Sequence, residues 1–399
     1  MVRCSLNRCK KKISASQAYG IQVNKVLHII ENFNGQATER WLFEVMRHFV
    51  GLGVKVDWTF YSVLGFPGSM DDEVKALGGK IIYSSVPLKN KMQFVRHLHK
   101  SIYQGKYDIL HSHHDIVSAI YLLASIGLPL KKRIVHIHNT SLAIPTSSTL
   151  KQFFFRELMR RICLWWADNI VGVSSVALNA FLNGGRPSAV RDMVIYCGID
   201  TIPFNFKSPN RIDFLKSLRL PVDSKIMLFS GRMIKYKNPL FVIEVLIHAL
   251  KYDSRICAVF AGVGPLQVEV LALIKQKSLE SRVRVLGWCE NMPSLMQSSD
   301  ILICPGQENP KEGLGLVVVE AQAAGLPVIM SPGIPEEAII VPALVEILPL
   351  AAGASLWAKA ALSIINRILP SKENALASVA CSSFSVDVSA DNIRKLYEI

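Results

Sequence analysis

The sequence predicts an α/β protein in which two doubly wound, Rossmann-like domains face each other across a cleft. The chain has 399 residues, which is enough for two domains of ordinary size. Short apolar and β-branched runs alternate with longer amphipathic stretches, as in parallel sheets covered by helices. This alternation begins again after a connector at 203–209 that carries a proline at each end. We therefore expect one doubly wound sheet on each side of the connector.

The first half contains the elements of one such sheet. The apolar residues of 38–51, which include Trp41, Val45 and Phe49, recur every three or four positions and suit packing on a sheet. Strands are predicted at 26–30, 54–61, 80–83, 108–113, 133–138, 169–174 and 194–197. Helices are predicted at 38–51, 91–104, 116–126, 150–167 and 175–182.

The second half repeats the pattern, and polar residues follow several strands where ligands of parallel sheets bind. Strands are predicted at 226–230, 256–261, 283–287, 300–304 and 327–330, with helices near 239–250, 265–277, 292–298 and 314–324. The predicted organisation is a disordered basic lead-in at 1–20, a first domain at 21–205, a second at 206–380 and a C-terminal segment at 381–399.

Charge is concentrated in the first half. The net charge is +12 over residues 1–200 and +2 over residues 201–399. An excess of this size favours an anionic partner, such as ligand phosphates or the negative leaflet of a cytoplasmic membrane. A solubilising surface is the alternative. Scattered basic residues without arginine-rich runs disfavour nucleic acid as a partner.

Cysteine usage and hydropathy predict a cytoplasmic location. The eight cysteines form no CxxC pair, which argues against a zinc or disulfide framework. The first twenty residues lack the apolar core of a secretory signal, and the longest charge-free apolar run, 116–130, is too short to span a membrane. The stretch 150–164 mixes basic and aromatic residues. It is either a membrane-facing amphipathic segment, which would place the protein at the inner face of the cell membrane, or a solvated helix face.

Two carboxylates eight residues apart form the strongest candidate site. Glu312 and Glu320 bracket a glycine-flanked entry into a helix that ends at Gly325. With Glu320 on the second helical turn, the two would lie about 12 Å apart, a spacing that suits one elongated ligand. The N–H groups around Gly313 and the positive end of the helix would bind a diphosphate. Ordinary helix-start and solvated carboxylates are the alternative for the pair considered alone.

A dinucleotide site is disfavoured. Gly262 and Gly264 follow a predicted strand, but Gln267 stands where the fingerprint needs a third glycine. We therefore predict that the protein does not bind NAD. We expect no other cofactor.

Several motifs together resemble the retaining glycosyltransferases of family 4, which have the GT-B fold and use a nucleotide-sugar donor. The resemblance covers roughly 24–398, is densest in 226–332, and looks like the exopolysaccharide and capsule branch. The motifs are the Glu312/Glu320 pair; Gly231-Arg232 with Lys237-Asn238; Ala261 to Pro265; Val285 to Trp288; the opening strand into 32–35; and the strands at 107–111 and 134–140.

The resemblance implies roles for individual residues. Glu312 would contact donor-sugar hydroxyls, and Glu320 would accept hydrogen bonds from the ribose. Arg232 and Lys237 would neutralise the diphosphate, and Trp288 would border the base. The remaining donor positions are Gly264, Gly313, Leu314, Gly315 and Leu316, with catalysis assigned to Glu312, His138, Arg232 and Lys237.

The acceptor side is expected around His138 and the loop at Asn34 and Gly35, where this chain has Gly35-Gln36 in place of the paired glycines of the family. His138 as a hydrogen-bonded core-edge histidine is an equal alternative. His111 and His113 alternate on a strand, face the same side and are favoured as packing residues. The family also implies that the C-terminal helix near 391–397 crosses back onto the first domain.

Catalysis without a metal is expected. No Asp-x-Asp pair occurs, and Asp71-Asp72-Glu73 is predicted to lie in a polar turn of the other domain. Fixed cations would then stabilise the departing diphosphate, each contributing roughly 3 kcal/mol in the transition state. The family implies a front-face retaining mechanism in which the diphosphate takes the acceptor's proton.

The predicted activity is transfer of a sugar, from UDP in preference to GDP, to a glycan or polyprenyl-linked glycan in surface polysaccharide biosynthesis. The preference for UDP rests on frequency within the family. A nucleotide-sugar epimerase of the same architecture is one alternative, although the first domain offers it few acid and base groups beyond Glu31 and Asp115. A non-catalytic nucleotide-sugar-binding scaffold is the other.

Overall fold

The computed structural model describes residues 24–140, 149–185, 191–206 and 210–399. The predicted lead-in at 1–20 lies outside these residues. Two parallel sheets with helices on both faces confirm the predicted doubly wound architecture.

The first sheet has seven parallel strands in the order β3-β2-β1-β4-β5-β6-β7. Its strands are β1 (Asn24–Ile30), β2 (Val56–Ser62), β3 (Lys80–Tyr83), β4 (Ile109–Ser112), β5 (Lys132–Ile137), β6 (Asn169–Gly172) and β7 (Met193–Val194). The helices of this half are α1 (Ala37–Gly51), α2 (Asp71–Ala76), α3 (Lys91–Gly105), α4 (Ser118–Ala124), α5 (Thr149–Trp166) and α6 (Ser175–Leu182).

The second sheet has six parallel strands in the order β10-β9-β8-β11-β12-β13. Its strands are β8 (Lys225–Ser230), β9 (Ile256–Ala261), β10 (Val283–Gly287), β11 (Ile301–Cys304), β12 (Val328–Met330) and β13 (Val345–Ile347). The helices are α7 (Arg211–Ser217), α8 (Pro239–Ala249), α9 (Gln267–Gln276), α10 (Met292–Gln297), α11 (Leu316–Ala323), α12 (Gly353–Ile365), α13 (Lys372–Ala380) and α14 (Val386–Tyr397).

Some elements differ from the prediction. Asp71-Asp72-Glu73 forms the first turn of helix α2, so the prediction of a polar turn was wrong. Carboxylates are favourable there because the N-terminal end of a helix is positive. The strand expected at 194–197 pairs only at Met193–Val194. Helix α11 begins at Leu316 and not at 314, because Gly315 has φ +82° and is left-handed. Besides α2, the elements α7, β13, α12 and α13 were not predicted as separate elements.

The C-terminal helix packs on the first domain, although it follows the second domain in the chain. It lies against α1, and Trp41 Nε1 donates a hydrogen bond to Ser389 Oγ at 2.8 Å. Ser389 Oγ in turn donates to the carbonyl of Tyr196. Helix α1 buries the predicted stripe, with Trp41, Val45 and Phe49 at most 2% exposed. The end of the chain is therefore part of the core that supports the first sheet.

Each sheet reverses its strand order at a central pair, between β1 and β4 in the first and between β8 and β11 in the second. Loops leaving the carboxyl ends of such pairs diverge and leave a crevice for ligands. The two crevices open toward a common cleft. Among the residues described, no helix is long and apolar enough to cross a membrane.

Candidate active site

A cleft of about 920 Å³ lies between the two sheets and is lined by residues of both halves. Most residues predicted to form a site come together on its wall. They are Gly35, His138, Arg232, Lys237, Trp288, Glu312, Gly313, Leu314, Gly315, Leu316 and Glu320. Asn34 and Gly264 do not line the cleft. Asn34 is exposed, and Gly264 is held against the backbone of Met233, where a Cβ would lie 2.4 Å from the carbonyl oxygen.

The turn before α11 is packed directly against the first domain. A Cβ on Gly313 would lie 1.8 Å from the carbonyl oxygen of His138, so only glycine permits this approach. Ser174 Oγ donates a hydrogen bond to the Gly313 carbonyl, and the N–H of Glu312 donates to the Gly333 carbonyl at 2.7 Å. The start of α11 is thereby fixed facing the cleft, where its free N–H groups favour an anion.

Two of the predicted groups form an ion pair. Lys237 Nζ lies 2.6 Å from Glu312 Oε1, and the side chains are 22% and 7% exposed. Lys237 ends a short 3₁₀ turn, Lys235–Lys237, that follows β8 and the Gly231-Arg232 corner. Arg232 is exposed on the same wall and keeps its charge open to the cleft. A cationic wall thus stands beside the start of α11.

Glu320 lies on the second turn of α11, as predicted, with a pKa raised to about 7. Burial is the main cause, and the positive charge of Arg40 on α1 acts in the opposite direction. Across the cleft, burial also raises the pKa of Glu39 to about 7, while Arg232 exerts a smaller lowering effect. The first turn of α1 and the α11 region therefore interact electrostatically across the cleft.

The Gly35 loop meets the opposite wall at Trp288. A Cβ on Gly35 would lie 3.5 Å from the Trp288 ring, and Gly35 has φ +73°. The indole is 53% exposed. The loop expected on the acceptor side therefore borders the residue expected beside the base.

Asp115 fixes the turn that carries His138. One Asp115 carboxylate oxygen accepts from the N–H of His138 at 2.6 Å, and the other accepts from Asn139 Nδ2 at 2.7 Å. Burial raises the pKa of Asp115 to about 6. The His138 ring contacts Thr38 Oγ1 through Nδ1 at 3.2 Å, and burial lowers its pKa to about 3. His138 is thus a neutral imidazole at the edge of the cleft.

Sequence reasoning missed the first turn of α1. Thr38, Glu39 and Arg40 of that turn, and Glu44 on the next turn, all line the cleft. The first domain therefore supplies more carboxylates than Glu31 and Asp115. Their position directly after the Gly35 loop is the signal that could have identified them. A helix that begins at the carboxyl end of β1 must point its first turn into the crevice.

Within the part of the chain that the structure describes, the groups that could hold a metal are histidines of the first domain. Two sets of three have ring nitrogens within 4.8 Å of one another: His28, His111 and His113, and His113, His136 and His138. His113 belongs to both sets. Its two ring nitrogens already contact His28 and His138, at 3.0 and 3.1 Å, so ligation would require these contacts to break.

Comparison with known proteins assigns the chain to a family. The profile described as Glycosyltransferase Family 4 matches residues 38–202, and that described as Glycosyl transferases group 1 matches residues 210–343. EpsF of Bacillus subtilis (strain 168) is 30% identical over 342 residues, which cover 84% of this chain and 86% of that protein.

Two further relatives carry more detailed names. An Escherichia coli UDP-Gal:alpha-D-GlcNAc-diphosphoundecaprenol alpha-1,3-galactosyltransferase is 26% identical, with 66% of this chain and 67% of that protein covered. The Staphylococcus aureus capsular polysaccharide biosynthesis glycosyltransferase CapH is 23% identical, covering 74% and 78%.

Solved structures confirm the fold. The Anabaena protein HepE, solved in complex with UDP, superposes with a TM-score of 0.73 at 18% identity, covering 94% of this chain and 100% of that one. WaaG, a glycosyltransferase of lipopolysaccharide biosynthesis, gives 0.70 at 13% identity, covering 92% and 99%. The chain belongs to the family 4 glycosyltransferases and is a transferase enzyme with the GT-B fold.

Proposed function

We propose that this enzyme transfers a sugar from a UDP-sugar, with retention at the anomeric carbon and without a metal ion, to a glycan or polyprenyl-linked glycan. The observation that carries the proposal is the convergence of Arg232, Lys237 and the start of α11 on one wall of the cleft. Glycosyl transfer leaves negative charge on a departing diphosphate. Two fixed cations and the positive end of a helix are groups suited to stabilise it.

The donor would lie along the second domain. Its diphosphate would face Arg232 and the N–H groups that precede α11, and its ribose would meet Glu320. The sugar would then reach Glu312, whose carboxylate pairs with Lys237 Nζ at 2.6 Å. A charged carboxylate accepts strong hydrogen bonds from sugar hydroxyls, which orients the anomeric carbon toward the first domain. Trp288 would border the base. Gly264 would act only by letting its turn pack against the backbone of Met233.

The reaction would need no external base from the protein. Among the cleft groups, His138 is neutral with a lowered pKa, which makes it a poor acceptor of a full proton. We assign the proton to the leaving diphosphate and not to cleft carboxylates such as Glu39, because front-face attack with retention brings the acceptor hydroxyl next to the departing oxygen. His138 and the Gly35 loop would instead position the acceptor, with Asn34 outside the cleft wall.

Surface polysaccharide assembly is the proposed context. The E. coli relative is named for a UDP-galactose donor and a diphosphoundecaprenol acceptor, and CapH is named for capsular polysaccharide. We extend these chemical classes to this chain because the E. coli relative matches two thirds of its length. The corresponding location is the cytoplasm, at the inner face of the membrane.

Helix α5 supplies a surface for that membrane contact. Phe154, Leu158 and Trp165 are 66%, 56% and 81% exposed, and their spacing places them on one face together with Arg161. Apolar and basic side chains on one helix face favour an interface with anionic lipid.

Vesicle co-sedimentation tests this contact. More enzyme should sediment with anionic vesicles than with neutral ones, and Trp165→Ser should lower the fraction of enzyme that sediments with anionic vesicles. Equal recovery with both vesicle types would refute the membrane contact.

The direct test is hydrolysis of labelled UDP-glucose, UDP-galactose, UDP-N-acetylglucosamine and GDP-mannose, with the anomer of the released sugar determined by NMR. Release of the α-anomer from a UDP-sugar supports a retaining UDP-dependent transferase. Inversion at C2 of the free donor would indicate the epimerase, and binding without turnover would indicate the scaffold.

The phosphate assignment is tested by Arg232→Ala. We expect both weaker UDP binding and slower turnover, because a guanidinium on a diphosphate contributes before and during bond cleavage. Arg367, which is exposed and pairs with Glu346, provides the matched control. Unchanged turnover in Arg232→Ala would remove the phosphate role.

A further inference from the structure

Four buried histidines and the partly exposed His138 stand side by side beneath the cleft. His28 on β1 pairs in register with His111 on β4, and His136 lies on β5. His113 and His138 follow two residues after His111 and His136, so each pair points to the same face of the sheet. Trp41 meets the rings of His113, His136 and His138 edge-on, with centroids 5.2 to 6.3 Å apart. The five rings therefore form one cluster covered by α1.

Hydrogen-bond contacts join these rings into one unbranched chain. It starts at the cleft with Thr38 and ends deep in the first domain, passing through the last residue of α14. The contacts run Thr38 Oγ1 to His138 Nδ1 (3.2 Å), His138 Nε2 to His113 Nδ1 (3.1 Å), His113 Nε2 to His28 Nδ1 (3.0 Å), His28 Nε2 to Tyr397 Oη (3.2 Å), Tyr397 Oη to His111 Nδ1 (2.6 Å) and His111 Nε2 to His136 Nδ1 (3.2 Å).

All five rings are neutral, because burial lowers each pKa far below its usual range. A neutral imidazole has one N–H and one lone pair. Each contact in the chain therefore needs one proton, and each ring or hydroxyl supplies one. Three arrangements satisfy every contact: all donors point away from the cleft, all point toward it, or both halves of the chain donate toward Tyr397 Oη, which can accept twice. In the first and the third, His138 carries its proton on Nε2.

The far end of the chain selects among them. His136 Nε2 is buried and has no partner of good hydrogen-bond geometry among the described residues. Burial dominates the lowered pKa of His136, but the backbone of Ile195 raises it, as a carbonyl facing a ring N–H would. A proton on His136 Nε2 obliges every other ring to carry its proton on Nε2 and to accept at Nδ1. The Nδ1 lone pair of His138 then faces Thr38 and the cleft.

We propose that Tyr397, His28 and His113 are positioning residues that hold His138 as the Nε2–H tautomer, with Nδ1 ready to accept a hydrogen bond from a sugar hydroxyl. Thr38 occupies that acceptor in the ligand-free enzyme, and a substrate hydroxyl takes its place. The proposal rests on the proposed function for the identity of the hydroxyl. Tyr397 of the C-terminal helix, which lies 259 positions after His138 in the chain, thereby controls the geometry of the cleft.

The contact pattern favours this assignment over a metal site. Nine of the ten ring nitrogens in the cluster already have a partner within 3.2 Å, which neutral rings satisfy without an ion. Both candidate ligand sets require His113, whose two nitrogens lie inside the chain.

Nitrogen-15 NMR of histidine-labelled full-length enzyme tests the tautomer directly, with His138→Gln used to assign the signals. We expect His138 to carry its proton on Nε2 and to stay neutral between pH 6 and 8. A proton on Nδ1, or a charged ring at pH 7, would overturn the proposal. Stoichiometric zinc in enzyme purified with added zinc chloride, removable by EDTA, would also overturn it.

Tyr397→Phe tests the effect on the reaction. It leaves His28 Nε2 and His111 Nδ1 without their partner. In UDP-sugar hydrolysis water takes the place of the acceptor hydroxyl at His138, and we expect kcat to fall roughly tenfold through misplacement of this ring. KM for the donor should stay within about twofold, because donor contacts lie in the second domain. The His138 signals should show both tautomers.

Tyr61→Phe is the matched control. Tyr61 is also buried, and its hydroxyl contacts His97 Nδ1 at 2.8 Å, outside the chain. Equal rates for Tyr397→Phe and Tyr61→Phe, with normal UDP binding in both, would refute the positioning role while leaving the proposed function intact. Failure of the wild-type enzyme to bind UDP would instead contradict the proposed function.

Discussion

Replacing Lys237 with methionine tests the cationic wall and its ion pair together. Methionine keeps much of the length of the side chain but leaves Glu312 buried without its counter-charge. Breaking a buried pair costs about 3–5 kcal/mol, and because Lys237 is 22% exposed we expect about 2 kcal/mol here. For a domain of this size that corresponds to a melting temperature lower by about 4–8 °C.

Turnover should fall further than stability alone explains. A preorganised charge aimed at a leaving group contributes about 10²-fold to kcat, so UDP-sugar hydrolysis should drop by about that factor. Scanning calorimetry and a coupled UDP-release assay measure the two effects. Lys235→Met is the control, since Lys235 is exposed on the same turn and lies outside the cleft wall.

A double-mutant cycle separates the ion pair from the phosphate contact. Lys237→Met combined with Glu312→Gln removes both charges, so its stability should return to within about 1 kcal/mol of wild type, while turnover stays low. If Lys237→Met matches Lys235→Met in both melting temperature and rate, the reasoning about this wall is wrong.

Three further predictions address the rest of the cleft. Because the pKa of Glu320 is raised to about 7, its carboxylate loses its negative charge as the pH falls below 7, and calorimetric titration should show UDP affinity decreasing there. Glu320→Gln, but not Glu39→Gln, should flatten the dependence of UDP affinity on pH and weaken binding at pH 8 by about tenfold. Gly313→Ala should lower kcat because its Cβ would meet the His138 carbonyl at 1.8 Å, whereas Gly51→Ala, which meets nothing within 4 Å, should not; equal rates would contradict this packing. EDTA should leave donor hydrolysis unchanged, and strong inhibition reversed by Mg²⁺ or Mn²⁺ would refute metal-independent catalysis.

The second-domain side of the site was largely readable from local sequence. Glu312, the glycines around it and Glu320 occupy one continuous segment, so the spacing of a turn and a helix fixes their relation. Arg232 and Lys237 follow a strand end, where parallel sheets present ligand-binding groups. Gly264 was placed in the donor site through the family resemblance, yet it packs on Met233, because a short motif does not reveal which side of a turn faces the cleft.

Other parts depended on contacts between distant segments. Nothing near Lys237 in the chain indicates that its partner is Glu312, 75 positions away. The first turn of α1 faces the α11 region only because the two sheets are set opposite each other. Asp71-Asp72-Glu73 became a helix start because carboxylates favour that position, a local effect that the prediction of a turn did not weigh.

By itself, the sequence determined the repeating strand and helix pattern, the two-domain plan and the segment around α11, because each depends on periodicity or on neighbours in the chain. Only the tertiary structure decided that Tyr397 completes a chain of buried imidazoles leading to His138, and that Gly313 lies against the backbone of the other domain. Burial and hydrogen bonding between remote residues set those features, and no local pattern encodes them.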